Sequence, residues 1–218
     1  EGLGVFTFSN ELWSGKQYYN SQEGPSGAQR DDYVDHVLLD DVRVPWEPAH
    51  HPLYGDIEVG GHKREHGRVA PSFMIEEMSH RNAMFCVLHA EEIADVTAEP
   101  LRIEPVGDGV WRVRAAFRNT GAMPTRSALS GDKGVGVPDR VTISGAGIEV
   151  VAGGRVSDRW RDERIDLTDD RPNPIRLEYG VPSRGRVEVA WIVAGSGDVL
   201  VRYAADKADD VRATGTLR

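Results

Sequence analysis

Little in this chain crosslinks, spans a membrane or carries sugar. Cys86 is the one cysteine among 218 residues, so no disulfide closes within the chain and its fold depends on core packing. No run of 18 apolar residues occurs, which excludes a helix that spans the bilayer and predicts no membrane partner. There is no Asn-x-Ser/Thr acceptor, and residue 1 is Glu rather than Met, so neither feature fixes a compartment. Lysine is scarce, 4 against 22 arginines, and the arginines are scattered over many segments rather than gathered in one patch. Positive charge is outweighed overall. The chain carries a net −9, with −10 in residues 1–95 and +1 in residues 96–218. Nucleic acid is excluded as a partner on that ground, since phosphate binding needs a basic footprint and the acidic half would repel it. The acidic half reads as a solubility feature, or alternatively as a preference for basic peptides.

What the chain does have begins at its start. In Gly4-Val-Phe-Thr-Phe-Ser-Asn-Glu-Leu-Trp13, Val5, Thr7 and Ser9 share one face and Phe6 and Phe8 the other. That period of two, bounded by glycine and by Ser14-Gly15, predicts a core strand over 4–9. Glu11 then stands at the strand's carboxyl end, where open sheets place their sites. A core strand this early predicts that further polypeptide precedes residue 1.

The segment resembles the last core strand of the zinc metallocarboxypeptidase family, carboxypeptidase A-like, in which the catalytic glutamate follows an aromatic-rich strand. Trp46-Glu-Pro-Ala-His-His-Pro-Leu-Tyr-Gly-Asp-Ile-Glu-Val-Gly-Gly61 is similar to the W-x-P…HP-x-G…E-x-GG segment of a bacterial branch of that family. Phe117-Arg-Asn-Thr-Gly-Ala-Met-Pro-Thr125 resembles the NTG-x-x-PT signature of the immunoglobulin-like β-sandwich appended to that branch. The resemblance implies a hydrolase, a metallopeptidase whose proteolysis removes C-terminal residues from a peptide substrate. It also implies a zinc ion held by two His and one Glu, with water in the open position. In the family these ligands precede the catalytic glutamate, so the zinc ligands are expected upstream of this chain, with none inside it. The missing N-terminal part of the same catalytic domain is thereby an expected partner. Glu11 is implied as the catalytic residue, the general base, and a secreted or periplasmic location is implied with it.

Two short spacings imitate a metal site. His62-Lys-Arg-Glu-His66 fits H-x-x-E and H-x-x-E-H, and His89-Ala-Glu-Glu92 gives a second H-x-x-E. The first lies between Gly60-Gly61 and Gly67, where a helix presenting both histidines is poorly supported, and the second has no third partner placed by any pattern. Both read as solvated histidines of loop or helix surface. Cys86, among Phe85, Val87 and Leu88, reads as a buried, inert thiol on a helix rather than a nucleophile. Tyr18, Tyr19 and Tyr54 read as aromatic loop packing rather than as substrate-facing phenols.

Residues 14–71 are rich in Gly, Pro, Asp and His, with a short amphipathic helix expected over 31–41 and a short edge strand over 57–59. A longer helix is expected from Ser72 to about Asp95. Pro71 and Ser72 start it, and Phe73, Met74, Met78, Phe85, Leu88 and Ile93 form an apolar stripe expected to pack as core against a sheet. From residue 100 the period switches to two, predicting strands over 101–106, 110–118, 141–144, 148–151, 164–168, 175–179, 186–193 and 199–204, with no helix among them. Gly107-Asp-Gly109 signals a hairpin between the first two. Such a series points to a β-sandwich of immunoglobulin-like type.

The sandwich shows no convincing chemistry of its own. Asp158, Asp162, Glu163, Asp166, Asp169 and Asp170 suggest calcium, but the loop pattern that ligates it is absent and arginines interleave, so turn charges are expected. Trp111 and Trp191 are expected in the core, leaving Trp160 as the candidate for a sugar-binding face. The expected fold class is α+β overall: residues 1–98 are the C-terminal part of an α/β zinc-carboxypeptidase domain and residues 99–218 an all-β immunoglobulin-like sandwich. The expected function is that of a C-terminal portion of a zinc-dependent carboxypeptidase, inactive without the upstream ligands. The alternative is a non-catalytic β-sandwich module that binds peptide or polysaccharide.

Overall fold

The computed structural model describes residues 4–10, 12–13, 26–39, 41–63, 69–157, 165–167 and 171–218. Its described part is mostly antiparallel β-sheet with a few helices. The chain forms two compact units, one of Phe8–Val87 and one of Glu1–Thr7 with Leu88–Arg218.

In the first unit, helix α1 (Gly27–Asp32) starts at a reciprocal cap: the Ser26 hydroxyl accepts from the Gln29 N–H, and the Gln29 side chain accepts from the Ser26 N–H. A wider turn, Tyr33–Val37, continues it. The helical stretch therefore begins four residues earlier than the 31–41 pattern suggests, because the cap and not the charge pattern sets its start. Strands β1 (Arg43–His51) and β2 (Gly55–His62) form an antiparallel hairpin in which His50 faces Asp56 and Ala49 faces Ile57. Pro45 and Pro48 hid β1 from sequence inspection; in a two-stranded ribbon both strands are edges, where a missing N–H is tolerated.

Helix α2 (Ser72–Glu91) forms where its start signals place it. Its apolar stripe does not behave as expected. None of its 20 residues is buried, and Phe73, Ile75, Met84, Phe85, Val87 and Leu88 are exposed. Cys86, expected to be buried, is exposed as well. A stripe is covered only where a facing layer exists, and the hairpin is the one sheet among the described residues of this unit. Residues 4–10 likewise show no strand pairing, against the expectation of a core strand over 4–9. An alternating pattern specifies two faces, but a ladder also needs a neighbouring strand. Phe8 instead meets Phe85 edge-on at 5.2 Å between ring centroids.

The second unit contains two antiparallel sheets. One has the order β3 (Val96–Ala98), β5 (Val110–Asn119), β10 (Arg186–Gly195), β7 (Ile148–Val156), β8 (Ile165–Leu167), with β4 (Arg102–Gly107) also paired to β5. The other runs β12 (Ala208–Leu217), β11 (Gly197–Ala205), β6 (Asp139–Ser144), β9 (Ile175–Leu177). Alternate residues from the two sheets build a single core: Val113, Phe117, Val189, Trp191 and Val193 from the first meet Val141, Ile143, Val201 and Tyr203 from the second. Phe117 and Tyr203 stack with centroids 5.1 Å apart. Trp191 is fully buried, and its indole N–H donates to the Pro172 carbonyl at 3.0 Å. That ring requires Gly153 opposite it, where a Cβ would stand 2.5 Å from the indole. Trp111 is half-buried at the core edge and donates to the Gly195 carbonyl.

Three elements of this unit had no strong pattern: the three-residue β3, the short helix α3 (Ala128–Lys133) capped by Ser127, and β12.

Candidate functional site

Glu11, the expected general base, lies outside the described residues, as do Tyr18, Tyr19, Glu65, His66 and Trp160. The three sequence motifs can still be followed into the structure through their described members.

The W-x-P…E-x-GG segment is the β1–β2 hairpin itself. His50 and Asp56, opposed in the register, pair through Nδ1 and Oδ1 at 2.8 Å. At the tip, the Leu53 N–H donates to Nδ1 of His51, whose ring lies 4.7 Å from that of Tyr54. Tyr54 thus packs on a histidine while staying exposed. The segment's polar residues lie on an exposed ribbon, so the hairpin supplies no enclosed cleft of its own.

The NTG-x-x-PT segment has a different character. Asn119, 1% exposed, fills its hydrogen-bonding capacity: Oδ1 accepts from the N–H groups of Asp95 and Gly121, both at 3.0 Å, and Nδ2 donates to the carbonyls of Met123 at 2.7 Å and Pro182 at 3.2 Å. Thr125 donates to Oδ2 of Asp139 at 2.5 Å and accepts from the Val181 N–H at 2.8 Å. Tyr203 donates to the same carboxylate oxygen, also at 2.5 Å. Burial raises the Asp139 carboxyl above the ordinary aspartate range, while the Thr125 and Tyr203 hydrogen bonds and the Arg126 charge pull it back. Burial, then the bond to Asp139, pushes the Tyr203 phenol far up, which keeps it a donor. Arg126 closes the network by donating to the carbonyls of Ser130 and Val135. The signature is therefore a buried polar bracket that ties loops to β6 and β11.

Glu92, half of the second H-x-x-E spacing, is engaged in the same bracket. Its carboxylate accepts from the Ala122 N–H at 3.1 Å and pairs with Arg184 at 3.2 Å. Among the described residues no group of three or more His, Cys, Asp or Glu converges to hold a metal ion. The described residues thus offer no ready-made zinc site. Of the acidic series from Asp158 to Asp170, only Asp166 is described, within β8.

A second charged network lies across β10 and the segment after β3. Arg186 grips Glu99 with two nitrogens at 3.0 and 3.1 Å and Glu188 with a third at 2.6 Å, and Arg114 stands 3.7 Å from Glu188. The Arg186 hydrogen bond holds the Glu99 carboxyl below its usual range. Paired in this way, the network braces the sheet and leaves no free charge at its centre. No helix among the described residues is long and apolar enough to cross a membrane.

The second unit is thus defined as an antiparallel two-sheet module whose signature residues bind one another. By sequence the chain belongs to a family described as a domain of unknown function, DUF8731, which matches residues 95–216, more than half of its length. No curated protein matches it. Among solved structures, DesR, a beta-glucosidase from Streptomyces venezuelae in complex with D-glucose, is similar at 12% identity and a TM-score of 0.24 over 57% of this chain. The matched part spans 15% of that enzyme chain, and the likeness carries no argument about fold or activity.

Proposed function

We propose that the chain is the C-terminal portion of a zinc-dependent peptide hydrolase of the carboxypeptidase type: residues 1–98 complete its catalytic domain and residues 99–218 form an immunoglobulin-like sandwich. The observation that carries this reading is the uncovered apolar surface of the unit of residues 8–87. Its only buried apolar side chains among the described residues are Tyr33, Val34, Val42 and Ala70, whereas α2 alone exposes Phe73, Ile75, Met84, Phe85 and Val87 within it. So few buried apolar side chains among the described residues, beside a helix that is apolar on several sides, support a reading in which further polypeptide covers this unit. The ordered motifs, from Glu11 through the hairpin to Asn119, support the enzyme type. On this reading Glu11 takes a proton from the attacking water and returns it to the leaving amine. A bound zinc would supply polarisation of the scissile carbonyl, with its ligands expected upstream of this chain. The substrate is a peptide with a free C-terminus.

A non-catalytic binding module is the second reading. It is favoured by the coincidence of the family match, residues 95–216, with a module whose two sheets share one core. Zinc content and peptidase activity of the gene product extended upstream of residue 1 separate the two. The enzyme reading expects about one zinc per chain and release of C-terminal residues; neither is expected of a binding module.

A further inference from the structure

We infer that the exposed face of the β1–β2 hairpin is a docking surface for the arginine side chains of a basic peptide, with Trp46 as its platform and Glu58 as its anion. The register divides the ribbon into two faces. Ala49, His51 and Ile57 share the partly buried one, whereas Trp46, Pro48 and His50 of β1 stand with Gly60, Glu58 and Asp56 of β2 on the other, where all are exposed. Between Val44↔Gly61 and Glu47↔Val59 the ladder slips, so that Pro45 and Trp46 together oppose the single residue Gly60. A bulge of this kind re-aims a side chain. Here it lays the Trp46 indole over bare backbone: a Cβ at Gly60 would stand 2.6 Å from the Trp46 Cα and 2.9 Å from Cδ2 of the ring, and one at Gly61 would stand 3.6 Å from Cζ2. The ring is seated on glycines, and the residue stays 65% exposed.

What such a face recognises follows from its charge. An exposed indole attracts a cation, and a guanidinium suits it better than an ammonium because its plane stacks on the ring while its N–H groups stay free for an acceptor. That acceptor stands diagonally across the ladder: Glu58 is two residues from Gly60, at a separation that long side chains bridge. Among the described residues nothing is hydrogen-bonded to or ion-paired with the Glu58 carboxylate. Asp56 continues the row, paired with Nδ1 of His50 and with its side chain 97% exposed. Alternate residues of an extended peptide repeat about every 7 Å, which is also the repeat of Glu58 and Asp56 along β2, so arginines two residues apart meet both carboxylates. Residues 1–95 carry a net −10, and that field favours a ligand of the same positive sign. A neutral sugar would also stack on an indole, but the carboxylate row and the field add nothing for it. The surface requires neither a metal nor Glu11, and so holds under either reading of the chain's function.

The test is calorimetric titration of the 218-residue chain with acetyl-Gly-Arg-Gly-Arg-Gly-amide, and with the same peptide carrying neutral citrulline in place of arginine. Saturable binding is expected for the arginine peptide, weaker by about three-fold or more in ~0.5 M than in ~0.05 M NaCl, and none for the citrulline peptide. Glu58→Gln and Trp46→Ala should each weaken it about three-fold or more, whereas Glu47→Gln, which removes the same charge from the opposite face, should leave it unchanged. Trp46→Phe keeps an aromatic face and should fall between Trp46→Ala and the unsubstituted chain, which separates loss of the platform from loss of the hairpin. The inference is overturned by no saturable binding up to about 10 mM peptide, by equal weakening in Glu47→Gln and Glu58→Gln, which would reduce the effect to net charge, or by citrulline binding as tightly as arginine, which would mark a platform for neutral ligands.

Discussion

Asp139 is where residue chemistry and stability meet most directly. Its carboxylate is 1% exposed and is served by two hydroxyl donors, Thr125 and Tyr203. Thr125→Val removes a donor to that carboxylate and the acceptor of the Val181 N–H, and is expected to destabilise the module by about 2 kcal/mol, read by urea denaturation. The pH dependence has a definite sign. Because the folded carboxyl is raised above 3.8, the native state binds a proton that the unfolded chain has released; the associated stability is complete below 3.8 and is lost as pH rises through the folded value. Glu99 works in the opposite direction: held below 4.5 by Arg186, it contributes stability above 4.5 that is lost as pH falls through its folded value. Tm measured between about pH 3 and 7 should therefore rise more steeply with pH in Asp139→Asn and less steeply in Arg186→Gln than in the unsubstituted protein. Identical slopes in all three would contradict the assignment of both groups. Neither partner set was visible in sequence, because Thr125 lies in a loop, Asp139 at the start of β6 and Tyr203 in β11, and only the folded chain brings them together.

Among the elements, those with a strong period were legible and those defined by partners were not. The alternation of Val113, Ala115 and Phe117, or of Val199, Val201 and Tyr203, marks strands whose inner faces are buried. β12 escaped because its Ala, Gly and Thr carry little hydrophobic contrast, and it is a strand by virtue of pairing with β11 from Gly197↔Leu217 to Ala205↔Ala208. Helix α2 was legible from its start signals, yet its expected burial was not found. Cys86 turns that difference into a measurement: in the native 218-residue chain it should react with a thiol reagent at a rate close to that of the unfolded chain. Strong protection without denaturant would mean that the helix face is covered. The loop after Asn119 is the counterpart, an element in which one buried side chain makes four of the bonds that hold it. Asn119→Ala leaves two N–H groups and two carbonyls without their partner and is expected to cost about 3 kcal/mol, a fall in Tm of roughly 6–12 °C by calorimetry.

At the scale of the whole molecule, one compact unit holds a core shared by two sheets and the other exposes many apolar side chains among its described residues. The family match and the continuous core coincide in the first, while the general-base assignment belongs to the second. Sequence alone offered the order of the motifs. It did not show that the NTG signature is a structural bracket, since four bonds from one asparagine leave no trace in a linear pattern. The most direct test of the peptidase assignment is Glu11→Gln in the gene product extended upstream of residue 1, with zinc content and peptide hydrolysis measured on the same samples. The expected result is hydrolysis reduced by about 10²–10⁴ with zinc retained at the unsubstituted level; undiminished hydrolysis by the Gln variant would contradict the account.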